Sequence, residues 1–257
     1  MRRTLRVNRP PPLDFERVNL IVVVLPAHKP HYRGMMPLDV PLSCTCGAVT
    51  GVVRGVTWAN AQRLSCMCDD CQAYAHYLGR AHEILDAHGG TDLSYATQKR
   101  IELLTGSEQL RAVRLYPTGL LRVYAGCCRT PVAHVPSAKL AFVGIVHSFM
   151  QRGPDGETRD AMLGPLVHRL QGRYCRGEMP AGAHRGTPVA LQAKATVRVL
   201  WDSVRGQHRP SAFHHARSNE PTVTPTVLSP AELDGLRGGH AAGAELPGGR
   251  RAPLGCS

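Results

Sequence analysis

The sequence predicts a mainly β fold, with short helices added over residues 151–237. Residues 37–150 of the 257-residue chain are made of short apolar runs separated by turns and cysteine groups, with little helical periodicity. Val113–Tyr116 and Leu120–Tyr124 flank Pro117-Thr118-Gly119. Two β-rich runs around a short Pro/Gly turn are typical of a β-hairpin.

Further elements of residues 37–150 follow from local patterns. Strands are predicted at Ala48–Val53, at Lys99–Leu104 and within the apolar run Lys139–Phe149. Apolar residues at helical spacing between Gln72 and Ala87 predict a few helical turns, which end at His88-Gly89-Gly90.

The signals are weaker after residue 150. Ala161–Gly177 is predicted as a helix with Met162, Leu166 and Leu170 on one face, and Thr196–Trp201 as a strand. Ser229-Pro230-Ala231-Glu232 combines a capping serine, a proline at the first helical position and a glutamate at the third. This capping box predicts a helix through Arg237.

The chain divides by composition into four parts. Residues 1–36 are expected to be a poorly ordered leader, 37–150 the β domain that carries the cysteine groups, 151–237 an extension packed on it, and 238–257 a disordered tail. The longest apolar run, Leu20–Leu25, is too short to cross a bilayer, and no export signal is convincing. We therefore expect a cytoplasmic protein without a membrane partner.

The formal charge is +12, from 31 Lys and Arg against 19 Asp and Glu, but it is spread along the chain. Aromatic residues make up only 5% of the sequence. Nucleic-acid binders concentrate basic charge and interleave it with stacking aromatics. Nucleic acid is therefore not an expected partner.

Seven of the nine cysteines fall in three tight groups, whereas Cys175 and Cys256 are isolated and are interpreted as ordinary thiols. The groups are Cys44-Thr45-Cys46-Gly47, Cys66-Met67-Cys68-Asp69-Asp70-Cys71 and Cys127-Cys128. Disulfides are disfavoured because such close neighbours rarely meet disulfide geometry. A redox pair at Cys68 and Cys71, or an iron–sulfur cluster, stays open, but clustered thiols favour zinc.

Seven sulfurs do not make two complete sets of four, so one of two expected Zn²⁺ sites lacks a protein ligand. Cys66, Cys68 and Cys71 are compact enough to form a three-thiolate site, and Cys44 and Cys46 then join the third group. Three protein ligands with an open position are typical of catalytic zinc.

The same cysteine pattern, over residues 40–150, resembles the GFA/CENP-V domain family, named after glutathione-dependent formaldehyde-activating enzyme. The segments Cys68-Asp69-Asp70-Cys71-Gln72, His88-Gly89-Gly90-Thr91-Asp92 and Cys127-Cys128-Arg129-Thr130-Pro131 resemble an uncharacterised bacterial branch of it that extends to about Arg237. The resemblance implies a β-tent of stacked antiparallel sheets with zinc knuckles. It also implies a catalytic-type zinc on the 66–71 group.

The resemblance implies a second zinc on Cys44, Cys46 and two cysteines of a Cys-x-x-Cys-Gly-Thr motif. Here Ala125 stands where the earlier of those cysteines belongs, and Cys127 directly precedes Cys128. Either Cys127 replaces the missing ligand through a distorted turn, or water or a side chain such as His134 completes the site.

The function that the resemblance implies is carbon–sulfur lyase or thiol-adduct chemistry, in which a small thiol such as glutathione binds the zinc of Cys66, Cys68 and Cys71. The alternative is a non-catalytic, zinc-stabilised binding module. Several side chains are candidate proton carriers: Asp69, Asp70, His76, His82 and His88. Paired glycines 89 and 90 allow either a simple turn or a substrate loop.

Overall fold

The computed structural model describes residues 37–150 and 159–238, and in them the predicted mainly β fold is confirmed. These residues form two sheets and a few helices. The strands are β1 Leu38–Ser43, β2 Thr50–Val56, β3 Arg63–Cys66, β4 Thr91–Ala96, β5 Ile101–Thr105, β6 Leu110–Arg114, β7 Leu121–Ala125, β8 Pro131–Val135, β9 Val143–Val146, β10 His168–Leu170 and β11 Thr226–Val227. The helices are α1 Trp58–Ala61, α2 Asp69–Tyr77, α3 Ala81–Ile84, α4 Arg159–Leu163, α5 Val189–Val204 and α6 Pro230–Gly238.

The smaller sheet has the strand order β1-β2-β5 and is antiparallel. Ser43 pairs with Thr50 at the end of the β1–β2 ladder, so residues 44–49 form the connecting loop that carries the first cysteine group. Gly51 lets β5 approach closely, because a Cβ there would lie 2.5 Å from the carbonyl oxygen of Glu102.

The larger sheet has the order β10-β3-β4-β9-β8-β7-β6-β11. Its inner pairs are antiparallel, whereas the edge strands β10 and β11 pair in parallel with β3 and β6. The predicted hairpin is confirmed, since Val113 pairs with Arg122 between β6 and β7. The β7–β8 connection carries the third cysteine group.

Alternate residues of the larger sheet belong to two different apolar clusters, because successive side chains of a strand point to opposite faces. Ala112 and Ile145 pack in a cluster with Val40 and Val53 of the smaller sheet. Their neighbours Val113 and Val146 instead belong to a cluster with the helices α2 and α6. The larger sheet therefore lies between the smaller sheet and a helical layer.

Helix α6 begins as the capping box predicted. The Ser229 amide donates to Glu232 Oε2 at 2.8 Å, and the Glu232 amide donates to Ser229 Oγ at 3.3 Å. Leu233 and Leu236 then pack on α2 next to the second cysteine group.

Two predictions for residues 159–238 are wrong. The helix expected over Ala161–Gly177 ends after α4, where Gly164 has φ +77°, and the following segment forms β10 on the open edge of β3. The strand expected at Thr196–Trp201 is the interior of the 16-residue helix α5. The β-branched residues of this short segment suggested a strand, but over residues 189–204 the apolar residues recur at helical spacing, and this longer pattern is the stronger signal.

The expectations for the leader and for the tail beyond residue 238 lie outside the described residues. Two strands of the extension over residues 151–237, β10 and β11, belong to the larger sheet. No helix of the described ranges is long and apolar enough to cross a membrane.

Candidate metal centres

The first cysteine cluster joins two loops that are more than 80 positions apart in sequence. Cys44 and Cys46 come from the β1–β2 loop, and Cys127 and Cys128 from the β7–β8 loop. All four sulfurs lie within 4.8 Å of one another. The sulfur of Cys127 is 3.3 Å from that of Cys46 and 3.9 Å from that of Cys44. We call this group the four-cysteine cluster.

Both loops are tight turns closed by backbone hydrogen bonds. In the first, the Cys44 amide donates to Val49 O at 3.0 Å, and Gly47 has φ +78°. In the second, the Ala125 amide donates to Thr130 O at 2.9 Å, and Arg129 has φ +57°. A left-handed backbone favours glycine, so Arg129 is strained at a position where the resemblance implies glycine.

Two threonines tie the loops together. The Thr45 amide donates to Thr130 Oγ1 at 3.1 Å, and this buried oxygen also lies 3.1 Å from Cys128 Sγ. Burial acts to raise the pKa of Cys128, but hydrogen bonds from Thr130, Thr45 and two backbone amides lower that pKa to about 6. The Cys128 thiolate is therefore favoured before any metal binds.

The second cluster lies within six residues of the chain. Cys66 ends β3, Cys68 caps the N-terminus of α2, and Cys71 lies in its first turn. The three sulfurs lie within 4.8 Å of one another, and the Cys71 amide donates to Cys68 Sγ at 3.4 Å. Strand β10 holds the backbone between Cys66 and Cys68 in place, since the Met67 amide donates to Leu170 O. We call this group the three-cysteine cluster.

The three-cysteine cluster resists ionisation without a cation. The neighbouring sulfur of Cys68 raises the pKa of Cys66 to about 12, and burial adds to the shift. The pKa of the buried Cys71 is raised as well, mainly by Cys66. A coordinating metal deprotonates such thiols outright, because its charge offsets the repulsion between thiolates. The arrangement therefore suits a divalent ion.

The sulfur separations fit a tetrahedral metal. A Zn–S bond of about 2.3 Å gives sulfur–sulfur edges of roughly 3.8 Å in a regular tetrahedron. The sulfurs of Cys46 and Cys127 are 3.3 Å apart, those of Cys44 and Cys127 are 3.9 Å apart and those of Cys66 and Cys68 are 3.4 Å apart, and all sulfur pairs of each cluster lie within 4.8 Å. Soft thiolate donors at these distances select metals such as zinc. Both clusters can hold a metal ion.

The two clusters differ in the number of ligands. Among residues 37–150 and 159–238, no His, Asp or Glu joins either group, so the clusters offer four and three sulfurs. The structure thus brings Cys127 and not His134 to the four-cysteine cluster. His134 is buried elsewhere, in edge contact with the ring of Tyr74, and burial holds its pKa well below the usual value.

A buried arginine lies beside the three-cysteine cluster and was missed in the sequence. Arg122 on β7 is 3% exposed, and its Nη2 is 3.7 Å from Asp70 Oδ2. Its Nε and Nη1 have no hydrogen-bond partner in the described part of the chain. Burying an incompletely paired guanidinium costs free energy, and its positive charge favours the binding of an anion nearby. Three thiolates around one Zn²⁺ carry a net charge of about −1 and would supply it.

This placement predicts how metal binding depends on Arg122. Arg122→Met is expected to weaken binding at the three-cysteine cluster about tenfold, because one nearby charge contributes on the order of 1–2 kcal/mol at an effective dielectric of about 20. Arg122→Lys keeps the charge and should retain most of the affinity. Competition with a chelator measures both sites, and the four-cysteine cluster is the internal control. Equal affinities in wild type and Arg122→Met would contradict the role assigned to Arg122.

The candidate proton carriers have other contacts. Asp70 and Asp69 accept from Arg237 of α6 at 2.5 Å and 3.3 Å, so they anchor that helix at the start of α2. His76 Nε2 lies 2.8 Å from Arg176 Nη2, and His82 is exposed beside Glu83. None of these side chains belongs to a cysteine group within the described ranges.

The His88-Gly89-Gly90 segment is a packed turn. Asp86 Oδ1 accepts from the amides of His88 and Gly90, both at 2.8 Å. A Cβ at Gly89 would lie 2.8 Å from Gln72 Oε1, and one at Gly90 would lie 2.1 Å from Ser65 Oγ. A side chain at either glycine would therefore have to displace that of Gln72 or Ser65, and Gly89 also has φ +79°, which favours glycine. Cys175 is half-buried outside both clusters, and Cys256 is not among the described residues.

Comparison with known proteins gives a family without an assigned activity. A search of curated proteins finds no match. A family model matches residues 23–221, which include all seven clustered cysteines and most of the described structure. The chain belongs to this family, DUF6151, a family of unknown function.

Proposed function

We propose that the protein is a two-zinc protein in which the four-cysteine cluster is structural and the three-cysteine cluster binds a small thiol or thiol adduct. The observation that carries this proposal is the difference in ligand number between two otherwise similar groups. A zinc with four thiolates is closed, whereas one with three protein ligands keeps a position for an exogenous ligand. The resemblance to the GFA/CENP-V family supports the same division.

The residues around the three-cysteine cluster suit an exogenous thiolate. Zinc bound there would supply a Lewis acid that favours the deprotonated form of a thiol near neutral pH. Cys66 and Cys68 are half-buried and keep some contact with solvent, while Cys71 is buried. The N-terminus of α2 and the guanidinium of Arg122 add positive potential beside the incoming sulfur. We infer carbon–sulfur lyase or thiol-adduct chemistry at this position.

The second candidate is a zinc-stabilised binding module without turnover. It is favoured by the position of three cavities among the described residues, which are lined by other side chains and by none of the seven clustered cysteines. Catalytic sites are usually concave pockets, so a zinc without one suits a structural role. The two candidates differ in whether a thiol from solution reaches the metal.

Cobalt substitution separates these functions. Glutathione added to the cobalt-loaded protein is expected to change the visible spectrum, because a fourth sulfur replaces solvent at the three-cysteine cluster. Cys66→Ser should abolish this response, whereas Cys175→Ser, outside both clusters, should keep it. Faster adduct formation from glutathione and formaldehyde in the presence of the zinc protein would then support turnover. A spectrum that glutathione leaves unchanged would contradict the open position and favour the binding module.

A further inference from the structure

A cavity of about 190 Å³ lies between the β-structure and helix α5, away from both cysteine clusters. Residues of β2, of β4 and of the turn after β4 form one wall, and α5 with its C-terminal end forms the other. Three arginines line it, Arg100, Arg198 and Arg205, against a single carboxylate, Asp202. The lining therefore carries two positive charges in excess.

The excess charge belongs to Arg100 and Arg205. Arg198 shares Asp202 with Tyr95: the Arg198 Nε–Asp202 Oδ2 distance is 3.7 Å, and the Tyr95 hydroxyl donates to the same oxygen at 3.1 Å. In the described part of the chain, neither Arg100 nor Arg205 pairs with a carboxylate. Arg100 Nη1 donates to the carbonyl of Gly55, which positions its guanidinium. That of Arg205 lies over the ring of Trp201.

One buried polar atom of the lining also lacks a partner. Thr97 is 6% exposed, and its Oγ1 makes no hydrogen bond with any described residue. This oxygen has almost no accessible surface, so it does not face the open space of the cavity. The two unpaired guanidinium groups that line the cavity supply the charged donors that an oxyanion requires.

The walls are fixed in place. Arg198 Nη1 donates to Ala59 O at 3.0 Å, and the Ala141 amide donates to Ser203 Oγ of α5 at 2.8 Å. Beyond α5, the Lys99 amide donates to Gln207 O at 3.0 Å. These contacts hold α5 against the β-structure on both sides of the cavity, so its walls are in place before a ligand arrives.

We propose that this cavity binds a doubly charged oxyanion, a phosphate group that is free or carried by a small ester. Arg100 and Arg205 bind its oxygens. Guanidinium groups match phosphate oxygens in geometry and charge. The proposal is independent of the metal sites, because no cysteine lines the cavity.

Calorimetric titration of the zinc-loaded protein tests this site with inorganic phosphate, glycerol phosphate and succinate, at constant ionic strength set with chloride. Saturable binding of inorganic phosphate at one site per chain is expected. Tighter binding of glycerol phosphate than of inorganic phosphate would identify small phosphate esters as the natural ligands. Equal binding of the two would identify free phosphate as the natural ligand. Succinate binding in preference to both phosphates would overturn the choice of phosphate, and no saturable binding would overturn the site.

Three variants locate the binding. Arg205→Gln should weaken phosphate binding about tenfold or more, since a charged hydrogen-bond partner is lost. Arg100→Gln should weaken it to a similar extent, because Arg100 supplies the other unpaired guanidinium of the cavity. Arg217→Gln, an exposed arginine elsewhere, makes the same charge change and should have no effect. Equal losses in Arg205→Gln and Arg217→Gln would overturn the proposal, because general charge attraction would then account for the binding.

Discussion

Cys44→Ser is expected to unfold the protein under conditions in which the wild type is stable. Cys44 is 2% exposed and packs in the core between the two sheets, and its sulfur connects the β1–β2 loop to Cys127. Structural zinc contributes apparent binding free energies of about 10–16 kcal/mol, which equals or exceeds the 5–15 kcal/mol stability of a typical domain. Losing one ligand of a site that joins two sheets therefore removes much of the net stability.

Urea unfolding followed by circular dichroism measures this effect. Cys175→Ser is the matched control, since Cys175 is half-buried and belongs to neither cluster. It should change the free energy of unfolding by no more than about 1 kcal/mol. A Cys44→Ser protein that stays folded and unfolds at the wild-type urea concentration would refute a structural metal at the four-cysteine cluster.

Cys66→Ser is expected to lose one zinc while most of the fold remains. The three-cysteine cluster closes a loop of only six residues, so its metal connects no distant parts of the chain. Strand β3 stays paired with β4 and β10, and α2 stays packed on the large sheet through Tyr74 and, directly after the helix, Leu78. The main consequences are therefore loss of the metal and of thiol binding.

Elemental analysis and far-ultraviolet circular dichroism of the same Cys66→Ser sample check this prediction together. About one zinc per chain and a spectrum close to that of the wild type are expected. A protein that retains both metals would show that Cys66 is not a ligand. A protein that unfolds as completely as Cys44→Ser would remove the distinction between a structural and an accessory site.

Local signals predicted the parts of the fold that local chemistry determines. Pro117-Thr118-Gly119 marks the β6–β7 hairpin, and Ser229 with Glu232 marks the start of α6. In contrast, β10 consists of three residues with no periodicity, and it is a strand because the edge of β3 is open to it. A helix was expected there because the spacing of Met162, Leu166 and Leu170 resembles a helical face by chance.

The candidate sites, like the fold, could be predicted only where a local pattern in the sequence marks them. The clustering of the cysteines can be recognised from the sequence alone, and the structure gathers them into the two groups that the spacing suggests. Arg122 was not predicted, although it alternates with the apolar Leu121 and Val123 and so occupies the opposite face of β7. Its burial depends on α2 covering that face, which no local pattern encodes. The identity of the metals and the thiol chemistry stay proposals.

The zinc content of the purified wild-type protein tests the central claim most directly. Native mass spectrometry, with elemental analysis of the same sample, is expected to give two zinc ions per chain, and a chelator should remove the ion of the three-cysteine cluster before that of the four-cysteine cluster. A protein that stays folded with its thiols free of any metal after complete chelation would contradict the account.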